Sequence, residues 1–210
     1  MFPDVLARTR LAHELRRTLE RRRQRLALAR WDAGERFVPP PHVVKQRALL
    51  NHAQRFGLRT LVETGTYYGE MVNAMLGAFD AIYSIELSDV LFAYCSRRFR
   101  DQPHVHLRHG DSGKELASLV NEIQGPALFW LDGHYSAGVT ARGDKDSPAL
   151  DELRTLLARP DGDVFLIDDA RCFGKDPGYP TLAEVTSLVR SQRPAAGIDV
   201  VDDAIRITPR

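Results

Sequence analysis

The chain has 210 residues, of which 43% are hydrophobic and 27% charged, with a formal net charge of +1; this is one ordinary domain with enough apolar content for a packed core, and it excludes wholesale disorder. No apolar run approaches the roughly 18 to 20 residues that span a bilayer, and Arg8, Arg10, Arg16 and Arg17 interrupt any signal-peptide core. Cys95 and Cys172 are too few for a disulfide framework, so a cytoplasmic protein with reduced thiols is expected.

The small net charge hides an asymmetry. Residues 1–36 carry ten Lys/Arg against five Asp/Glu, a net of +5, and the remainder carries a net of −4. Residues 4–30 predict a helix, with Leu6, Leu11, Leu15, Leu19, Leu26 and Ala29 at three- and four-residue spacings and arginines between them. Its most basic part, Arg21-Arg22-Arg23-Gln24-Arg25, reads either as a contact for nucleic acid or an acidic partner, or as the solvated face of a helix that packs on its own domain or on a second subunit. The second reading is preferred, because no aromatic residues interleave the arginines for base stacking. Pro39-Pro40-Pro41 then breaks the chain. A second helix follows over His42–Arg55, with Gly57 placed to cap it.

From Leu58 the pattern alternates. Strands are predicted at Leu58–Thr64, Ala81–Leu87, Val105–His109, Ala127–Leu131 and Asp163–Ile167. Helices are predicted at Gly69–Ala78, Asp89–Phe99, Ser112–Glu122, Pro148–Ala158 and Leu182–Arg190. Ile198–Val201 and Ala204–Ile207 read as two closing strands joined at Asp202-Asp203. The expectation is an α/β protein: a three-layer, Rossmann-like fold with a mostly parallel sheet and an antiparallel edge pair. The domain would span 58–210, preceded by a helical segment at 1–57.

In an open sheet of this kind ligands bind at the carboxyl ends of the strands. Those ends carry Glu63, Gly65 and Gly69; Glu86; Asp111 and Ser112; Asp132 and His134; and Asp168 and Asp169. One such acid could simply cap a helix, but acids after all five strands repel one another unless a cation or hydrogen-bond donors join them. A dinucleotide loop wants G-x-G-x-x-G for its pyrophosphate; here Gly65 and Gly69 enclose Thr66-Tyr67-Tyr68, and Glu63 would repel a phosphate. A cationic group would be welcome beside Glu63. Glu86, twenty-one residues after Gly65, can accept from ribose hydroxyls, and Asp111-Ser112 can reach the exocyclic amine of adenine. An adenosine with a cationic tail describes S-adenosylmethionine.

The series Glu63-Thr64-Gly65-x-x-x-Gly69, Ile85-Glu86, Gly110-Asp111-Ser112 and Leu131-Asp132-Gly133-His134 resembles the class I S-adenosylmethionine-dependent methyltransferases over about residues 58–207. The resemblance implies that Glu63 and Gly65 bind the methionine end, Glu86 the ribose and Asp111 with Ser112 the adenine, with Thr66, Tyr67, Gly69 and Asp132 also at the cofactor. The loop departs from the usual pattern, since Thr66-Tyr67-Tyr68 replaces its middle glycine. Leu-Asp-Gly after the fourth strand and Ile-Asp-Asp after the fifth are similar to the macrocin O-methyltransferase group and related cephalosporin-modifying enzymes. That likeness implies a divalent metal, with Mg²⁺ suited to oxygen ligands, held by Asp132, Asp168 and Asp169. His134, assisted by Asp132, is then the expected catalytic base.

The loop from Gly133 to Ser147, with Tyr135, Arg142 and Lys145, and the segments Arg171–Lys175 and Tyr179-Pro180 are candidate substrate walls. Cys172 has no recognisable base to make it a nucleophile. The expected activity is methylation of a hydroxyl on a small molecule such as a sugar or secondary metabolite. A homo-oligomer through the N-terminal helices is the expected assembly, with no membrane partner and with nucleic acid disfavoured. The rival readings are a nucleic-acid or protein methyltransferase using the basic helix, an NAD-dependent oxidoreductase, and a non-catalytic adenosine-binding protein.

Overall fold

A computed structural model describes residues 3–133, 149–160, 162–176 and 178–210, with side chains from Thr18 onward. It divides into two compact units, Met1–Arg47 and Ala48–Arg210. In the first, α1 runs over Pro3–Asp32, and Arg21, Arg22, Arg23 and Arg25 are exposed on it. Trp31 near its end is buried, with the Arg36 guanidinium 4.6 Å from the ring centroid. The helix α2 runs over His42–Phe56. Its end is capped as the sequence predicts: Gly57 takes φ 65° and the Leu58 amide reaches back to the Ala53 carbonyl at 2.9 Å. That tie keeps Leu58 out of the sheet, so β1 is Thr60–Thr64 rather than starting at Leu58.

The second unit is built on one seven-stranded sheet in the order β3-β2-β1-β4-β5-β7-β6. Its other strands are β2 (Ala81–Glu86), β3 (Val105–His109), β4 (Leu128–Leu131), β5 (Val164–Ile167), β6 (Gly197–Val201) and β7 (Ala204–Thr208). The first five run parallel; β7 enters antiparallel to β5 and pairs with β6 through the hairpin turn. Asp202 and Asp203 both take positive φ, 52° and 61°, as a tight two-residue hairpin needs. Every residue of β4 and β5 is buried, which is why those strands read as unbroken apolar runs.

Helices cover both faces. Val62, Ile85, Phe129, Leu131, Phe165 and Ile167 pack on α5 (Ser112–Leu119), α6 (Ala149–Leu157) and α7 (Leu182–Gln192). The alternate residues Leu61, Ile82, Leu128, Trp130, Val164 and Leu166 pack on α3 (Glu70–Met75), α4 (Asp89–Arg98) and the α2 residues Leu49 and Ala53. The helices α3 and α5 stop short of Ala78 and Glu122, because their last turns tighten to three-residue spacing: Ala78 N–H bonds Met75 and Glu122 N–H bonds Leu119. This period-two division also assigns the strand ends, with Glu63 on the face of Leu61 and Thr64 on the face of Val62.

Candidate active site

The order in which the parallel strands are added reverses between β1 and β4, the place where open sheets of this kind bind ligands, in the crevice beyond the carboxyl ends of their strands. Gly65 stands at that point with φ 83°, and a side chain on it would run into the Asp132 carbonyl oxygen at 2.5 Å. The glycine therefore permits the β1 loop to lie against the end of β4.

Glu63 is buried, and Ser84, its direct neighbour on β2, donates a hydroxyl to it at 2.6 Å. Thr66 Oγ1 lies 2.6 Å from Ser84 Oγ, so the Thr66 side chain extends this buried chain instead of facing the crevice. Burial pushes the Glu63 pKa up to about 8, the Ser84 hydrogen bond opposes that, and the charges of Asp132 and Glu86 add to it. A carboxyl in this state is ready to ionise when a cation arrives.

Glu86 closes β2, and its two oxygens accept from Ser88 N and Tyr67 N, each at 2.8 Å. These amides aim the carboxylate while leaving acceptor capacity for two ligand hydroxyls. Tyr67 takes φ 52°, and its half-exposed ring meets that of Tyr68 edge-on, which in turn meets Tyr94. Asp111 is the N-cap of α5 and accepts from Gly113 N at 2.9 Å. The next residue, Ser112, donates to the buried Glu152 at 2.5 Å.

At the ends of β4 and β5, Asp132, Asp168 and Asp169 each bring a carboxylate oxygen within 4.8 Å of the others. Asp169 reaches this position with φ 56°. Arg171 donates to Asp169 at 2.6 Å and also pairs with Asp203 of the β6–β7 turn. Asp203 in turn accepts from the Arg171 backbone amide at 2.8 Å. Burial raises the Cys172 pKa to about 11, and Asp176 adds to the rise, which favours the protonated thiol. Tyr179 is raised as well, by burial and then by the charge of Asp169. His134, Tyr135, Arg142 and Lys145 lie outside the described residues.

No known family profile and no curated protein matches this sequence. Solved structures do match its shape. An SAH-bound methyltransferase from Podospora anserina has 16% identity and a TM-score of 0.57, covering 79% of this chain and 78% of its own. An O-methyltransferase from Bacillus cereus in complex with SAH has 17% identity and a TM-score of 0.55, with 88% and 90% covered. A protein from Clostridium thermocellum, provisionally named an rRNA-methylase, has 12% identity and a TM-score of 0.54, with 75% and 92% covered. The chain has the Rossmann-like methyltransferase fold.

Within the methyltransferase fold, Glu63, Gly65, Gly69, Glu86, Asp111, Ser112, Asp132, Asp168 and Asp169 all follow or end strands on one edge of the sheet, as the alternation predicts. Four residues bonded to these groups escape the strand-end reading: Ser84, Glu152, Arg171 and Asp203. Glu152 had a signal, since it lies on the stripe of Ala149, Leu153 and Leu156, where an acid is out of place.

Proposed function

We propose that the chain is an S-adenosylmethionine-dependent methyltransferase acting on a hydroxyl oxygen of a small molecule, a sugar or secondary metabolite, with a divalent metal at the acidic cluster. The observation that carries this reading is the combination of the methyltransferase strand order with acids closing β1, β2 and β3. In this reading residues 58–210 are the catalytic domain and 1–57 a helical segment before it. The cofactor supplies a methyl group on a sulfonium. Glu63 ionises against the cationic methionine end, Glu86 accepts from the ribose hydroxyls, and Asp111 and Ser112 meet the adenine. Gly65, Thr66, Tyr67 and Gly69 shape the loop beside the cofactor, and Asp132, whose carbonyl packs against Gly65, also contributes to its site.

Asp132, Asp168 and Asp169 offer hard oxygen donors close enough to share one ion, so Mg²⁺ fits the site. Such an ion, when bound, lowers the pKa of a substrate hydroxyl. The protein's part is to orient that oxygen and remove its proton, with His134 as the base. Holding donor and acceptor in line supplies much of the rate, and no covalent enzyme intermediate is needed.

Calorimetry with S-adenosylmethionine and with NAD separates the cofactor classes: binding of NAD alone would overturn the assignment. Turnover unaffected by a chelator would remove the metal. The exposed arginines of α1 favour a second reading, methylation of nucleic acid or protein, which a salt-sensitive RNA mobility shift would support. A homo-oligomer through the N-terminal helices is tested by sedimentation.

A further inference from the structure

Ser112 does not stand alone at the start of α5. Its hydroxyl donates to Glu152 Oε1 at 2.5 Å, although the two residues lie forty positions apart. Glu152 is 1% exposed, on the inward face of α6. Thr64, at the end of β1, turns its buried hydroxyl toward the same carboxyl without completing a hydrogen bond. Gly133 closes the group from the β4 side: a side chain there would meet Thr64 Oγ1 at 3.0 Å, and Glu152 Oε1 and Ser112 Oγ at 3.2 Å. Four elements thus meet at one buried carboxyl beside the crevice. Burial raises its pKa to about 7 and the charges of Asp111 and Asp132 add to the rise, while the Ser112 hydrogen bond opposes it.

A serine hydroxyl has one proton and two lone pairs. When the proton is committed to Glu152, only lone pairs remain for a ligand. An acceptor at this place suits the exocyclic amine of adenine. It opposes the carbonyl oxygen that replaces this amine in hypoxanthine. We propose that Glu152 is a positioning residue that fixes Ser112 as a hydrogen-bond acceptor and so makes the site select a 6-amino over a 6-oxo purine. This rests on the adenosine reading of the site given above. Glu152 acts through Ser112 and need not touch the ligand.

The test compares binding of S-adenosylhomocysteine and its deaminated analogue, S-inosylhomocysteine, by calorimetry on the full chain. The native protein should prefer the adenosine ligand by about tenfold or more, the range for one mismatched buried hydrogen bond. Glu152→Met, which removes the acceptor with little change in length, should bring the two affinities within about threefold of each other by freeing the Ser112 proton. Glu152→Gln retains an acceptor carbonyl and should restore most of the preference, which a merely space-filling role would not predict. Ser112→Ala should reduce the preference as far as Glu152→Met does, leaving only what Asp111 supplies, and make a second change at Glu152 silent, so the proposal stays testable if Glu152→Met does not fold. Failure of the native protein to bind S-adenosylhomocysteine would sink the cofactor assignment and this inference with it. Intact preference in folded Glu152→Met or in Ser112→Ala would overturn this inference alone.

Discussion

The carboxylates at the ends of β1, β2 and β3 each accept a hydrogen bond from a neutral donor, whereas those at the ends of β4 and β5 are gathered together. Glu63 takes the Ser84 hydroxyl, Glu86 two backbone amides and Asp111 the Gly113 amide. Asp132, Asp168 and Asp169 converge within 4.8 Å, with Arg171 on one of them. Neutral donors set direction and suit recognition of a defined organic ligand. Converging charges store repulsion that a cation relieves, which suits a metal. The same strand-end position therefore serves two kinds of chemistry, and the difference lies in what surrounds each acid.

The strongest way to break this comparison is to remove one acid from each side. Asp168→Asn should cut turnover by about a hundredfold or more, the scale of losing a metal's polarisation of the reacting oxygen. It should change S-adenosylhomocysteine affinity by less than about threefold, since one hydrogen-bonding group remains and the ligand is not its partner. Equal loss in kinetics and calorimetry would merge the two sides. Glu86→Ala should weaken S-adenosylhomocysteine binding by roughly tenfold to a hundredfold, through lost ribose acceptors and loosened Tyr67 and Ser88 amides. Mn²⁺ binding, followed by electron paramagnetic resonance, should survive that change.

A middling effect comes from pH. Glu63 and Glu152 have folded-state pKa values of about 8 and about 7, above the usual carboxyl range. The folded protein therefore holds protons that the unfolded chain releases, and this contribution to stability is full below the unfolded pKa and lost as pH rises through the folded values. Without ligand, Tm should fall by roughly 5–10 °C between about pH 5 and about pH 8.5. Glu63→Gln should flatten that slope. S-adenosylmethionine binding at neutral pH should release close to one proton, measured as a calorimetric enthalpy that varies with the buffer; a buffer-independent enthalpy would remove Glu63 from the cation's surroundings.

Much of this arrangement was legible in the sequence, for a definite reason. Alternating strands and helices place whatever follows each strand on one edge of a parallel sheet, so Glu63, Glu86, Asp111, Asp132, Asp168 and Asp169 could be gathered without coordinates. What surrounds each acid was less legible. The Ser84–Glu63 bond depends on strand register, and Arg171 meets Asp203 only because β7 inserts beside β5. The inward turn of the Thr66 side chain to Ser84 is likewise set by the loop's backbone, not by the residue's type. Glu152 broke the apolar stripe of its helix, but only the fold shows that Ser112 is its partner.

The finest test of the gathered side uses the cation already there. Arg171 divides its guanidinium between Asp169 and Asp203, and is itself about one-third exposed. A metal ion and Arg171 compete for the charge of Asp169. Arg171→Met should therefore raise Mn²⁺ affinity by about three- to tenfold, a gain moderated by solvent screening. Asp203→Asn should act in the opposite sense: deprived of its second carboxylate, Arg171 leans harder on Asp169, and Mn²⁺ affinity should fall by about twofold. Both variants disturb the β6–β7 turn, so general loosening would move both affinities down together. Opposite signs would identify a guanidinium that competes with the ion, and a decrease in both at unchanged Tm, which excludes loosening, would mean that Arg171 instead holds Asp169 in place to bind it.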